Sequence, residues 1–232
     1  MIGILAGMGP KSTAPFIDKI VTLCQAKYGA KNDIDFPPMM IHSCPTPFYL
    51  DRPLDHAAME AAIVAGTQKL VAAGAGYIAI PCNTAHLYLA AIRRAVAVPV
   101  LDMIAVTLGR LPAGGGKVAI LATRATLASG LYQRGAAACG RECVARPGWQ
   151  ETVDGIIAAV KSGADLAPSL AAWRALCREI GEEGAAAVIA CTDLNPVADR
   201  IAAGMPVVDS AACLAEETVD AYYRRPADSR RA

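Results

Sequence analysis

Two stretches of this chain return further along it, and that recurrence limits what it can fold into. Ile2-Gly-Ile-Leu-Ala6 is answered by Val118-Ala-Ile-Leu-Ala122. Tyr77-Ile-Ala-Ile-Pro-Cys82-Asn-Thr84 is answered by Ala186-Ala-Val-Ile-Ala-Cys191-Thr192. Short apolar runs bounded by small loop residues read as buried parallel strands. The first pair leads into matching strand–loop–helix units, through Gly7–Thr13 in one half and Thr123–Ser129 in the other. The second pair ends each time on a cysteine followed by polar, cap-forming residues. The fold expected is α/β: two pseudo-twofold-related lobes, each a parallel sheet flanked by helices, with the active site in the cleft between them. Ligands of open parallel sheets bind beyond the carboxyl ends of the strands, so both cysteines belong at that cleft.

The rest of the pattern agrees. Strands are predicted at Ile2–Ala6, Pro38–His42, Tyr77–Pro81, Val98–Leu101, Val118–Ala122, Ala186–Ala190 and Pro206–Val208. Helices are predicted at Thr13–Tyr28, His56–Ala73, Ala85–Ala95, Ser129–Ala138, Thr152–Ser162, Ala167–Gly181 and Ala211–Tyr223. One lobe is expected to comprise 1–98 with 206–232, and the other 99–205.

Composition then narrows the function. With 22 basic against 21 acidic residues, the chain lacks the charge excess that grips nucleic acid or an anionic membrane. Arg224, Arg225, Arg230 and Arg231 read as a frayed tail. No apolar run has membrane-spanning length, and the N-terminal apolar stretch reads as a first strand and not a signal peptide. The 8 cysteines include no C-x-x-C pair and are too sparse for a disulfide scaffold, which implies a reducing, cytoplasmic setting. Aromatics are only 5% and alanine is abundant, which favours helices packed closely on a sheet.

Gly7-Met8-Gly9-Pro10-Lys11-Ser12-Thr13 resembles a nucleotide loop but fails on detail. A P-loop needs glycine directly before its lysine, and Pro10 intervenes, removing a backbone N–H. A dinucleotide site needs an acidic residue at the end of the second strand, where His42 and Ser43 stand. A glycine loop that opens a helix can instead hold a carboxylate. Cys82 and Cys191 each follow a strand and precede a predicted helix, where the helix dipole favours thiolate. Cys24, Cys139, Cys177 and Cys213 read as inert filler within helices, and Cys44 and Cys143 have no assigned role. A zinc site through Cys82, His86 and Cys191 lacks a fourth ligand. Two facing thiols suit racemisation: one takes the α-proton while the other delivers a proton to the opposite face, with backbone N–H groups stabilising the carboxylate. No pyridoxal-phosphate lysine context is evident. His86 reads equally as a support for the Cys82 thiolate or as a hydrogen-bonded structural residue.

Gly7-Met8-Gly9-Pro10 with Thr13, the hexapeptide Pro81-Cys-Asn-Thr-Ala-His86, and Cys191-Thr192 followed by an acid together resemble the aspartate/glutamate racemase family, aspartate racemases most of all. The resemblance covers essentially the whole chain. It implies cofactor-free racemisation of an acidic amino acid, aspartate first and glutamate next, no metal, and a homodimer. It implies Cys82 and Cys191 as the catalytic pair. It places Met8, Asn83, Thr84, Ala85, Thr123 and Thr192 around the substrate, and assigns Lys161 and Arg52 to its distal carboxylate. The sequence departs from the family at Ala6, where glycine is usual, at Asp193, where glutamate is usual, and in the length of Pro45–Arg52. The distal pocket is where those departures bear. Two other readings remain: an isomerase or decarboxylase of small diacids on the same fold, and a non-catalytic carboxylate binder, which would have no need of two thiols.

Overall fold

The computed structural model describes residues 1–49 and 51–225. Its contacts divide the chain after Met103 and again after Ser210, so that Met1–Met103 joins the chain from Ala211 onward and Ile104–Ser210 stands as a second compact unit.

In the first unit, β1 (Ile2–Ala6) is the centre of a parallel sheet, with β2 (Met39–Ser43) on one side and β3 (Tyr77–Ala79) on the other. Beyond β3, Val100 makes a single parallel bridge to Ile78. The strand expected at Val98–Leu101 is therefore reduced to one bridge. Helix α1 (Thr13–Tyr28) buries Phe16, Ile20 and Cys24, one face at a spacing of four, and stops where Gly29 turns left-handed at φ 68°. Helix α2 (His56–Ala72) crosses close to the sheet: a Cβ on Gly66 would lie 2.8 Å from a Leu5 methyl and 3.1 Å from the Cys44 sulfur. Helix α3 (Leu89–Ala95) follows β3 after a 3-10 segment. The described chain closes with α10 (Ser210–Tyr223), whose Leu214, Ala215 and Val219 bury against β1 and α1. Arg225 then donates to the Gly76 carbonyl at 2.9 Å and stacks on Tyr77, so that part of the basic end is docked and not frayed; Arg230 and Arg231 lie outside the described residues.

In the second unit the parallel order is β5 (Arg141–Val144), β4 (Gly116–Ala122), β6 (Ala185–Ala190), β7 (Val207–Asp209). Around this sheet lie α4 (Met103–Leu108), α5 (Arg124–Ala128), α6 (Leu131–Ala138), α7 (Trp149–Ser162), α8 (Ala167–Glu182) and α9 (Asn195–Ala198). Every residue of β6 is buried, as expected of a central strand of alanine, valine and isoleucine. Strand β5 was not expected. Its Arg-Glu-Cys-Val sequence is an edge strand, where charge is tolerated, and it lacks the apolar run that marks a buried one. The helix expected from Ser129 to Ala138 begins at Leu131, after Gly130 at φ 67°, and a short helix that was not expected, α5, precedes it in the loop after β4.

The two sheets share more than their class. In the first, Ile2, Gly3 and Ile4 lie opposite Tyr77, Ile78 and Ala79. In the second, Val118, Ala119 and Ile120 lie opposite Ala186, Ala187 and Val188. These are the positions paired by the sequence repeat, so the repeat holds strand for strand and register for register.

Candidate active site

In parallel strands of matching register, the residues just past the carboxyl ends come out side by side about 4.8 Å apart. Gly7 and Cys82 follow the neighbours β1 and β3. Thr123 and Cys191 follow the neighbours β4 and β6, whose last residues, Ala122 and Ala190, are directly paired.

At Cys82 the chain turns sharply, its N–H donating back to the Ile80 carbonyl at 2.8 Å. Asn83, Thr84, Ala85 and His86 are all buried. His86 makes the connection that explains the turn. The Met103 N–H, which can only donate, bonds His86 Nε2 at 3.0 Å, and His86 Nδ1 lies 2.8 Å from the Cys82 carbonyl oxygen. Nε2 therefore carries no proton and Nδ1 donates. Burial lowers the His86 pKa below the usual imidazole value, which favours this neutral form. Of the two readings of His86, the structural one holds: both nitrogens are committed to backbone, so the ring cannot serve the thiol as a base. It ties the Cys82 turn to the segment at Met103.

Met8 and Cys82 lie half-buried against one apolar cluster, together with Phe48 and Leu54 on either side of Arg52. Within the opening loop, the Gly7 N–H donates to the Thr13 hydroxyl at 3.2 Å, so that donor is already used inside the loop. Gly7 has φ 89°, and a Cβ there would sit 2.7 Å from the Cys44 nitrogen, so only glycine fits where β1 meets the end of β2. Arg52 is well exposed. Its Nε donates to Asp51 at 3.2 Å and its guanidinium covers the Tyr49 ring at 4.2 Å.

At Cys191 the sulfur-bearing residue is 7% exposed, and Thr192, Asp193 and Asn195 are more deeply buried still. Lys161, one residue from the end of α7, reaches this loop and pairs with Asp193 at 2.8 Å. Asn195 donates to Asp209 at the end of β7 at 2.9 Å and so tethers the loop to the sheet. Neither Asn195 nor Met103 is evident from sequence, because each acts through a partner distant in the chain. Thr123 caps α5, accepting from the Thr126 N–H at 3.2 Å while its hydroxyl donates to Thr126 Oγ1 at 3.0 Å.

One expectation needs correction. The segments after the thiols are not long helices with a strong dipole. Cys82 precedes a 3-10 segment, Thr84–Tyr88, and Asn83 makes no side-chain cap. Cys191 precedes the three-residue 3-10 segment Thr192–Leu194 and then a four-residue helix. Both turns are closed by backbone bonds, from the His86 N–H to the Asn83 carbonyl at 3.0 Å and from the Leu194 N–H to the Cys191 carbonyl at 3.1 Å. Of the cysteines read as filler, Cys24, Cys177 and Cys213 are buried, but Cys139 is exposed at the end of α6. Among the described residues no cluster of three or more His, Cys, Asp or Glu could hold a metal ion, and no helix is long and apolar enough to cross a membrane.

This arrangement of two repeated sheets with a cysteine past the same strand of each is an α/β racemase fold. Residues 5–218 match the family model described as Asp/Glu/Hydantoin racemase, and the chain belongs to that family of isomerases. It is 48% identical, over 96% of its length and 98% of the relative's, to the broad specificity amino-acid racemase RacX of Bacillus subtilis (strain 168). Among solved structures, the aspartate racemase of Picrophilus torridus superposes with TM-score 0.81 at 26% identity, over 99% of this chain and 97% of that one. An aspartate racemase homologue from Pyrococcus horikoshii OT3 gives TM-score 0.73 at 25% identity, over 95% and 97%. Glutamate racemase from Thermus thermophilus, at 20% identity and TM-score 0.65 over 96% and 80%, shares the fold.

Proposed function

We propose that this chain is a cofactor-independent amino-acid racemase of broad side-chain tolerance, with aspartate among its substrates, working through Cys82 and Cys191. The observation that carries the reading is the register-matched repeat, which puts one cysteine past the central-strand neighbour in each sheet. One thiolate removes the α-proton and the other thiol returns one to the opposite face; the roles exchange for the reverse substrate. Asn83, Thr84, Ala85, Thr123 and Thr192, with Met8, supply the substrate's surroundings, and N–H groups of the turns bear the carboxylate charge that grows as the proton leaves.

Breadth follows from the charges assigned to a distal carboxylate. Lys161 is already paired with the buried Asp193, and Arg52 with Asp51 and Tyr49. A cation that has its own acid adds less for an acidic substrate than an unpaired one and costs less when a neutral side chain takes its place. The relative of broad specificity supports the same reading. The chain is further proposed to act as a homodimer in a reducing cytoplasm. Met40 and Ile41, exposed on the edge strand β2, support the first point, and the 8 cysteines, none in a disulfide, support the second.

The test is racemisation of a panel of L-amino acids by the reduced protein without added cofactor, followed by chiral separation. Turnover of aspartate and of several neutral or basic amino acids is the expected result. Turnover of aspartate alone would overturn breadth, and dependence on added pyridoxal phosphate would overturn the two-thiol chemistry.

A further inference from the structure

At the opposite end of the second sheet from Cys191, the amino ends of β4, β5 and β6 line an open pocket of about 390 Å³. Residues Ala185 to Cys191 span β6, so some 20 Å of strand separates this pocket from the thiol. Its lining includes Gly115, Gly116, Gly184 and Met205, two cationic side chains, Lys117 and Arg141, and no acidic one. Arg141 is only 8% exposed, yet among the described residues it has no carboxylate partner; its single hydrogen bond runs from Nη2 to the Pro112 carbonyl. With one neutral acceptor and no carboxylate partner among the described residues, the guanidinium charge is not balanced by the protein, and its other donors are not shut away from solvent. Gly116, paired with Arg141 across the ladder, has no side chain to cover it: even a Cβ there would lie 3.8 Å from Arg141 Nη1. Lys117 is 3.7 Å from Glu183, but that carboxylate is already held by Arg146, whose Nε donates to it at 2.8 Å.

We infer that this pocket is a binding site for a phosphate group, separate from the racemase site. A guanidinium fork and a nearby ammonium suit a tetrahedral dianion, and the glycines let it approach the backbone closely. The remaining volume accommodates either water around free phosphate or the organic part of a small phosphate monoester.

The test uses full-length protein labelled at its methionine methyls, with Met205 identified by Met205→Leu and Met8 by Met8→Leu. Inorganic phosphate and β-glycerophosphate are titrated separately against chloride of equal ionic strength. The expected result is a saturable shift of the Met205 methyl with Met8 unmoved. Arg141→Lys should weaken binding at least tenfold, and Lys117→Gln several-fold. Tighter binding of the monoester would identify a phosphorylated metabolite as the occupant, and tighter binding of phosphate the free ion. A Met205 shift no larger than chloride gives, or one that Lys117→Gln leaves unaltered, would overturn the assignment. Should Arg141→Lys fail to fold, the Lys117→Gln titration decides.

Discussion

Replacing His86 tests how the Cys82 turn is held. The ring bonds the Cys82 carbonyl and the Met103 N–H at 2.8 and 3.0 Å and is almost fully buried. His86→Ala removes the ring's two bonds to the backbone, at about 1–3 kcal/mol each, or about 2–6 kcal/mol together. His86→Asn retains a donor of the right reach for the Cys82 carbonyl and should lose about half as much. Urea denaturation gives these differences, and kcat should fall in the same order, because the turn that carries Cys82 loosens. The wild-type pH dependence provides a second check. Burial lowers the folded-state pKa of His86, so the unfolded chain binds a proton that the native protein refuses. The histidine's contribution to stability is thus complete above the unfolded pKa of about 6.5 and declines as pH falls from there towards the depressed folded value, by at most about 1.4 kcal/mol per unit. His86→Asn should remove that slope. Nitrogen-15 NMR of the imidazoles should show one of the 3 histidines neutral with its proton on Nδ1. A proton on Nε2, or an alanine variant as stable and active as wild type, would refute the reasoning.

Asp193→Asn releases Lys161 from its 2.8 Å partner, and kcat/KM for aspartate relative to a neutral amino acid should rise by about tenfold, the worth of one charge-assisted bond; an unchanged ratio would mean that Lys161 does not face the substrate. Gly7→Ala forces a Cβ to within 2.7 Å of the Cys44 nitrogen at a positive φ, so it should cost at least about 2 kcal/mol by urea denaturation, and a loss below about 0.5 kcal/mol would show that the loop can move aside.

Much of this was legible in the sequence because it was written twice. The repeated strands were placed from the sequence and the fold then gave them matching register, and α1 was placed to the residue, since its apolar spacing, its preceding turn and its terminal glycine all agree. What escaped notice depends on contacts between distant positions. Strand β5 carries too much charge to read as a strand, and only the neighbouring β4 makes it one. The segments after both cysteines look like helix starts from their polar residues, but in the fold they run as 3-10 segments. Lys161 and Arg52 were singled out only through the family resemblance, and their pairing with Asp193 and Asp51 is visible only in the fold. The resemblance implies aspartate first and glutamate next; the wider substrate range proposed above rests on Asp193, whose pairing with Lys161 is visible only in three dimensions, and on the relative of broad specificity.

The central claim is that two thiols serve opposite faces of one α-carbon. The direct measurement is the early course of racemisation of L-aspartate and of one accepted neutral L-amino acid in deuterated buffer, with chiral separation and α-deuterium content read in both enantiomers, for wild type, Cys82→Ser and Cys191→Ser. The account predicts that wild type forms a D-product deuterated at the α-carbon while the remaining L-substrate keeps its proton, and that either serine variant almost abolishes racemisation. Deuterium entering substrate and product at equal rates, or full racemisation by either variant, would show that a single base does the work and would contradict the account.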